Sequence, residues 1–186
     1  MKEDKKKDFI LSLSKYLIYF ILYSFIGWFY EVFLEVVVYR WGYTDRGVLC
    51  GPYCPVYGVG TFIFLLTVYP LIKNKKGAKK YLYLPVVFLL CMTIATLIEL
   101  ATSYICEYFM GSWPWQTYAN YKINFQARIA LSPSIRFGLG GVAFLYLLQP
   151  LFEKLCEKLG EKKVKILALI VGIVLLIDCT YTFFIK

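Results

Sequence analysis

Tyr81-Leu-Tyr-Leu-Pro-Val-Val-Phe-Leu-Leu-Cys91-Met-Thr-Ile-Ala-Thr-Leu-Ile-Glu99-Leu-Ala-Thr-Ser-Tyr104 carries one charged side chain in an otherwise apolar run. About 20 helical residues cross the ~30 Å hydrocarbon core of a bilayer, so this stretch reads as a membrane span with an acid inside it. Comparable runs lie at 16–38, 53–72, 129–151 and 164–184. Together they predict an all-α, polytopic membrane bundle of five helices. Hydrophobic residues make up 60% of the chain, more than one soluble core of 186 residues can hide.

The lysines set the direction. Lys2, Lys5, Lys6, Lys7 and Lys15 precede the first run; Lys73, Lys75, Lys76, Lys79 and Lys80 separate the second from the third; Lys154, Lys158, Lys162, Lys163 and Lys165 separate the fourth from the fifth. Under the positive-inside rule all three segments are expected in the cytoplasm, with the amino terminus inside and the carboxyl terminus outside. Residues 1–15 then form a basic cytoplasmic tail and 16–186 a single transmembrane domain. The first run follows a lysine block as a signal peptide would, but its length and lack of a small-residue cleavage site predict a retained anchor.

A net charge of +9 does not imply nucleic acid here, because the lysines sit in short blocks beside apolar runs with no basic stripe or binding motif. They suit anionic lipid headgroups. The absence of His removes the usual acid and base near neutral pH and the commonest zinc nitrogen ligand. No G-x-x-x-x-G-K-[ST] loop is present, so any ATP hydrolysis needs a separate subunit. No cofactor is evident, although the carboxylates also suit a hard divalent cation.

Charges within spans are costly and usually face a bundle interior or a cavity. Glu31 and Glu99 lie about 23 to 27 Å from the cytoplasmic ends of their runs, and Arg136 about 10 Å below the outer end of its own, at ~1.5 Å per residue. Asp178 falls in the outer half too. All four arginines, Arg40, Arg46, Arg128 and Arg136, lie towards the outside, where a planar guanidinium can hold a carboxylate or phosphate by paired hydrogen bonds. Helical spacing gives the stripes Ser24, Trp28, Glu31, Glu35; Met92, Thr96, Glu99, Ser103, Cys106; and Ser132, Arg136, Gly140. The arrangement admits simple interhelical ion pairs, or a hydrated pocket lined by Trp28, Glu31, Arg46, Tyr53, Glu99, Asn124, Arg128 and Arg136.

Two outer segments are expected to be irregular. Residues 39–52 are rich in Gly and Pro and can dip into the bundle where protein or water satisfies the backbone. Residues 109–128 mix Trp and Tyr with amides and cations, and read as a lid or as an interfacial aromatic belt. Cys50 and Cys54 could form a disulfide if that side is oxidising.

Phe25-Ile-Gly27-Trp28-Phe-Tyr-Glu31, Asp45-Arg46-Gly47-Val-Leu49-Cys-Gly51-Pro52-Tyr-Cys54-Pro55-Val-Tyr57-Gly58-Val-Gly60, Glu99 with Thr102-Ser103, and Asn124-Phe-Gln-Ala-Arg128-Ile129 resemble the CmpB-like family of type IV ABC-transporter permeases. Asp45, Gln116 and Ala127 depart from the Asn, Asp and Gly that the resemblance leads one to expect. The resemblance implies transport, a bacterial cytoplasmic membrane and a separate ATPase subunit; because the cytoplasmic halves of the runs are almost wholly apolar, a partner or a homo-oligomer would have to complete a transport path.

Two further functions stay open beside binding or transport of a small polar or zwitterionic solute. One is a membrane enzyme acting on a lipid or envelope precursor, with a lipid headgroup in the same pocket. The other is a structural or sensory subunit.

Overall fold

The computed structural model describes residues 2–44 and 47–185. Long helices dominate it. Helix α1 spans Lys2–Phe33 and runs into a π turn at Leu34–Val38; α2 spans Pro55–Thr67, α3 Pro70–Lys73, α4 Ala78–Tyr81 and α5 Leu84–Met110. After a 3₁₀ turn at Gln116–Asn120 and a two-stranded hairpin, β1 (Asn124–Phe125) with β2 (Ile129–Ala130), come α6 (Leu131–Ala143), a π turn at Phe144–Leu148, and α7 (Gln149–Phe184).

Local chemistry fits these elements to hydrocarbon. Hydroxyls inside apolar helices find partners one turn back: Ser24 donates to the Phe20 carbonyl, Thr96 to Met92 and Thr180 to Leu176, at 2.7–2.8 Å. Helix α5 has Pro85 in its first turn and stops at Gly111, whose φ of 75° is the left-handed end that glycine adopts without strain. Leu89, Leu97, Ile105, Leu139, Leu169 and Ile177 all face outwards. Such exposure is unfavourable in water and neutral in lipid.

Three helical stretches are long and apolar enough to cross a membrane: Lys6–Val38, Ala78–Met110 and Leu131–Phe184; Pro55–Thr67 is apolar but shorter. The third stretch would extend roughly 80 Å if its 54 residues formed one straight helix, more than twice a bilayer core. Gly160 interrupts it. Its φ of 76° and ψ of 159° are not helical, and they lie where side chains other than hydrogen are excluded.

The chain divides into two compact units, Met1–Phe62 with Gln149–Lys186, and Ile63–Leu148. In the first unit the two halves of α7 follow α1 in opposite senses. Before Gly160, Tyr23 meets Gln149 and Phe152 while Tyr19 meets Cys156, so numbers fall in one helix as they rise in the other. After Gly160, Gly172 faces Leu17, and Asp178 reaches the loop whose Cys54 N–H donates to Ser24 O at 2.9 Å. The numbers now rise together. Helix α7 therefore reverses within the lysine-rich segment, as the sequence leads one to expect between runs 129–151 and 164–184.

Small residues let α1 and α2 approach. A Cβ on Gly27 would lie 2.2 Å from the Tyr57 ring, and one on Gly58 2.4 Å from Ser24 Oγ. The second unit uses the same device between α5 and α6: a Cβ on Gly138 would meet Phe88 at 2.7 Å, and one on Gly141 would meet Cys91 at 2.5 Å. The Thr96 and Ser134 hydroxyl oxygens lie 2.8 Å apart across that contact.

Candidate functional site

In the first unit, polar side chains near the irregular segment mostly hold the chain itself. Asp178 accepts the N–H groups of Cys50 and Gly51, each at 2.9 Å, the Thr182 hydroxyl at 3.1 Å, and the Tyr53 hydroxyl. A carboxylate with that many donors anchors a loop to a helix. Tyr53, expected to touch ligand, is thus committed to Asp178. Glu35 is buried and accepts from the Thr44 backbone and hydroxyl, at 3.2 and 2.6 Å. Glu31 accepts from Tyr57. Trp28, one turn before it, buries an indole N–H with no hydrogen-bond partner among the described residues. Arg46 lies outside the described residues. Cys50 and Cys54 are free thiols, the first exposed and the second buried.

In the second unit, the end of α5 and the hairpin enclose Arg128. Its guanidinium carbon sits 4.1 Å from the Tyr104 ring centroid and 4.0 Å from that of Trp113. One terminal nitrogen donates to Glu107 at 2.5 Å and the other to Ser103 Oγ at 3.3 Å. The backbone is held as well: the Arg128 N–H donates to Phe125 O at 2.9 Å, and the Trp115 indole donates to Arg128 O at 2.8 Å. Close to two aromatic rings and 6% exposed, Arg128 fastens the segment 109–128. Asn124 has a similar local role, donating to Tyr121 O at 2.7 Å and accepting the Ala127 N–H at 3.1 Å across the turn.

Glu99 and Arg136 are arranged differently. Glu99 Oε1 accepts the Tyr118 hydroxyl at 2.8 Å, while Oε2 is buried without a hydrogen-bond partner among the described residues. Arg136 donates to the Tyr121 hydroxyl at 2.6 Å and lies 3.4 Å from Ser132 Oγ. The two tyrosine rings meet edge to face, 5.7 Å between centroids. An acid and a base are thus joined through a pair of phenols. Burial, reinforced by the Glu99 carboxylate, raises the Tyr118 phenol well above its usual value, so it stays a donor at any physiological pH.

Residues 18–183 match the family described as Putative ABC-transporter type IV. The chain belongs to this family. No curated protein and no solved structure matches the chain significantly. Membership in the ABC-transporter type IV family and the long apolar helices make this a transport-related membrane protein.

Sequence reasoning singled out Glu31, Glu99, Arg128 and Arg136, and it missed what holds them. Glu107, the partner of Arg128, stands one turn beyond Ser103 and two beyond Glu99, on the same stripe. That spacing was the available signal. Tyr57, Tyr118 and Tyr121 gave none, because a tyrosine at a membrane interface reads equally well as an anchor. Among the described residues no group of three or more acids or cysteines could hold a metal ion.

Proposed function

We propose that this protein crosses the bilayer five times, amino terminus inside, and binds a zwitterionic ligand for transport through the Glu99 and Arg136 ends of its second unit. The observation that carries this reading is the buried Glu99 Oε2, which has no hydrogen-bond partner among the described residues. A buried acceptor left unsatisfied costs about 1–3 kcal/mol, more if charged, and a cationic ligand group would relieve that cost. The Tyr118–Tyr121 pair separates this acceptor from the Arg136 guanidinium, which suits the anionic end of the same ligand.

The five spans are supported by the reversal at Gly160 and by lysine blocks at every expected cytoplasmic turn. Family membership, with no P-loop in the chain, favours a separate ATPase subunit as the source of energy.

Proteoliposomes containing wild type or Glu99→Gln would be compared for uptake of amino-acid zwitterions and phosphoethanolamine against neutral and singly charged analogues. Wild type is expected to prefer the zwitterions, and the variant to lose that preference. Equal handling of all three classes by wild type would defeat the reading.

A further inference from the structure

The Asp178 clasp brings two thiols to one place. Cys50 lies against the second half of α7: its N–H donates to Asp178 Oδ1 at 2.9 Å, and its Sγ is 3.6 Å from Thr182 Oγ1. Cys179 follows Asp178 directly and stands three residues before Thr182, a helical spacing that makes the two surface neighbours with Cβ atoms roughly 5–6 Å apart. The Tyr53 phenol, bonded to Asp178, is within electrostatic reach of both thiols. We propose that Cys50 and Cys179, brought together by Asp178, form a reversible disulfide that locks the irregular segment before α2 onto α7. The lock belongs to the first unit and is independent of any ligand at Glu99.

Sequence spacing pairs Cys50 with Cys54 instead, but in the structure those two sulfurs take different neighbours. Cys54 is buried, its N–H is tied to Ser24 O at 2.9 Å, and its sulfur faces Gly47, 3.5 Å from where a Cβ would stand there. The phenol within its electrostatic reach is that of Tyr57, beside Glu31. Cys50 is exposed and Cys179 half-buried, both as free thiols, so an oxidant meets Cys50 first and Cys179 resolves the product.

The oxidant is itself a disulfide, of the class of oxidised glutathione. The Cys50 thiolate attacks one of its sulfurs and releases one glutathione thiolate; the Cys179 thiolate then attacks Cys50 Sγ in the mixed disulfide and releases the second. Two electrons pass from the cysteines to glutathione, whose two thiolates take up the two protons released. Asp178 acts by position: its bonds to the Cys50 and Gly51 N–H groups hold the loop on the helix and raise the effective concentration of one thiol at the other.

The test equilibrates reduced full-length protein in detergent with glutathione buffers of rising oxidised fraction, then alkylates, digests and maps linked peptides by mass spectrometry. The expected product is the Cys50–Cys179 pair, with maleimide reactivity at Cys50 lost on oxidation and recovered on reduction. Cys54→Ser should leave this product unchanged, and Cys50→Ser or Cys179→Ser should abolish it. Asp178→Asn should lower the equilibrium constant for closing the bond about threefold or more, yet leave formation of the Cys50 glutathione adduct unchanged in a Cys179→Ser background.

A Cys50–Cys54 pair, a bond between two copies of the chain, or glutathione adducts without a linked pair would overturn the proposal. So would an Asp178→Asn protein that closes the bond as readily as wild type. Peptide mapping of the wild type decides the pairing even where that variant does not fold.

Discussion

Arg128 donates to Glu107 at 2.5 Å while its guanidinium carbon lies 4.1 Å from the Tyr104 ring centroid and 4.0 Å from that of Trp113. Arg128 and Glu107 flank the irregular segment after α5, so one contact closes the path from α5 through Trp113 and Trp115 to the hairpin. The side chains are unequally buried, at 7% and 44% exposure for Arg128 and Glu107. Removing the arginine therefore loses far more than removing the acid.

Arg128→Lys keeps the charge but loses the guanidinium's contacts with both rings and the fixed fork of donors. It should destabilise by about 2–4 kcal/mol, combining cation–π loss with a poorly matched buried cation. Glu107→Gln, at a half-exposed acid, should cost only about 0.5–1.5 kcal/mol after allowance for solvent screening. Thermal unfolding of both variants in detergent measures the order. A larger loss in Glu107→Gln would mean that the pair, not the aromatic contacts, holds the segment.

The reversal at Gly160 gives a topological prediction. Cys50 is exposed in the irregular segment before α2, and on the proposed orientation its free thiol should react with an impermeant maleimide added to intact cells. Lys76→Cys and Glu161→Cys, in the lysine-rich turns, should react only after permeabilisation. Gly160→Val should cost about 1–3 kcal/mol through its backbone conformation alone. Outside labelling at position 161 would remove the five-span arrangement.

Much of this was legible because hydrocarbon leaves the sequence few choices. The runs at 16–38 and 164–184 lie inside α1 with its π turn and inside α7, and the run at 81–104 largely inside α5, since a lone apolar segment must satisfy its own backbone. The run at 53–72 is broken: α2 ends at Thr67 and Pro70 opens the short α3, because proline lacks the N–H an unbroken helix would use. The run at 129–151 begins as a strand, since Ile129 and Ala130 pair with Phe125 and Asn124 before α6 starts. Side-chain partners were less legible. Glu31 and Asp178 stand out as charges within apolar runs and Arg128 as a charge beside one, but only Arg128 is buried, and which donor or acceptor meets each depends on irregular segments with no period to read.

Ala127 links the sequence departure to geometry. The resemblance leads one to expect glycine there, and Gln126 and Ala127 both have positive φ, 54° and 56°. The left-handed conformation costs an L residue about 1–2 kcal/mol, while glycine loses roughly 0.5–1 kcal/mol in backbone entropy on folding. Ala127→Gly should therefore raise stability by a few tenths of a kcal/mol up to about 1 kcal/mol, read as an upward shift in the unfolding midpoint. A decrease would show that the Trp113 bond to Ala127 O at 3.0 Å and the Asn124 bond already over-determine the turn.

Tyr118 supplies a prediction in pH. Burial and the neighbouring Glu99 carboxylate raise its phenol pKa in the folded protein. The folded state then holds this proton after the unfolded chain has released it, so the contribution is complete below the unfolded phenol's pKa near 10 and is lost as pH rises towards the folded value. Stability of wild type should fall more steeply above pH ~10 than that of Tyr118→Phe, which has no proton to lose. Below that pH the variant should be the weaker protein, because Glu99 Oε1 loses its donor at 2.8 Å. Unfolding midpoints measured from pH 7 to pH 11.5 should therefore converge at the alkaline end, and parallel curves would show that Tyr118 is not held protonated by the fold.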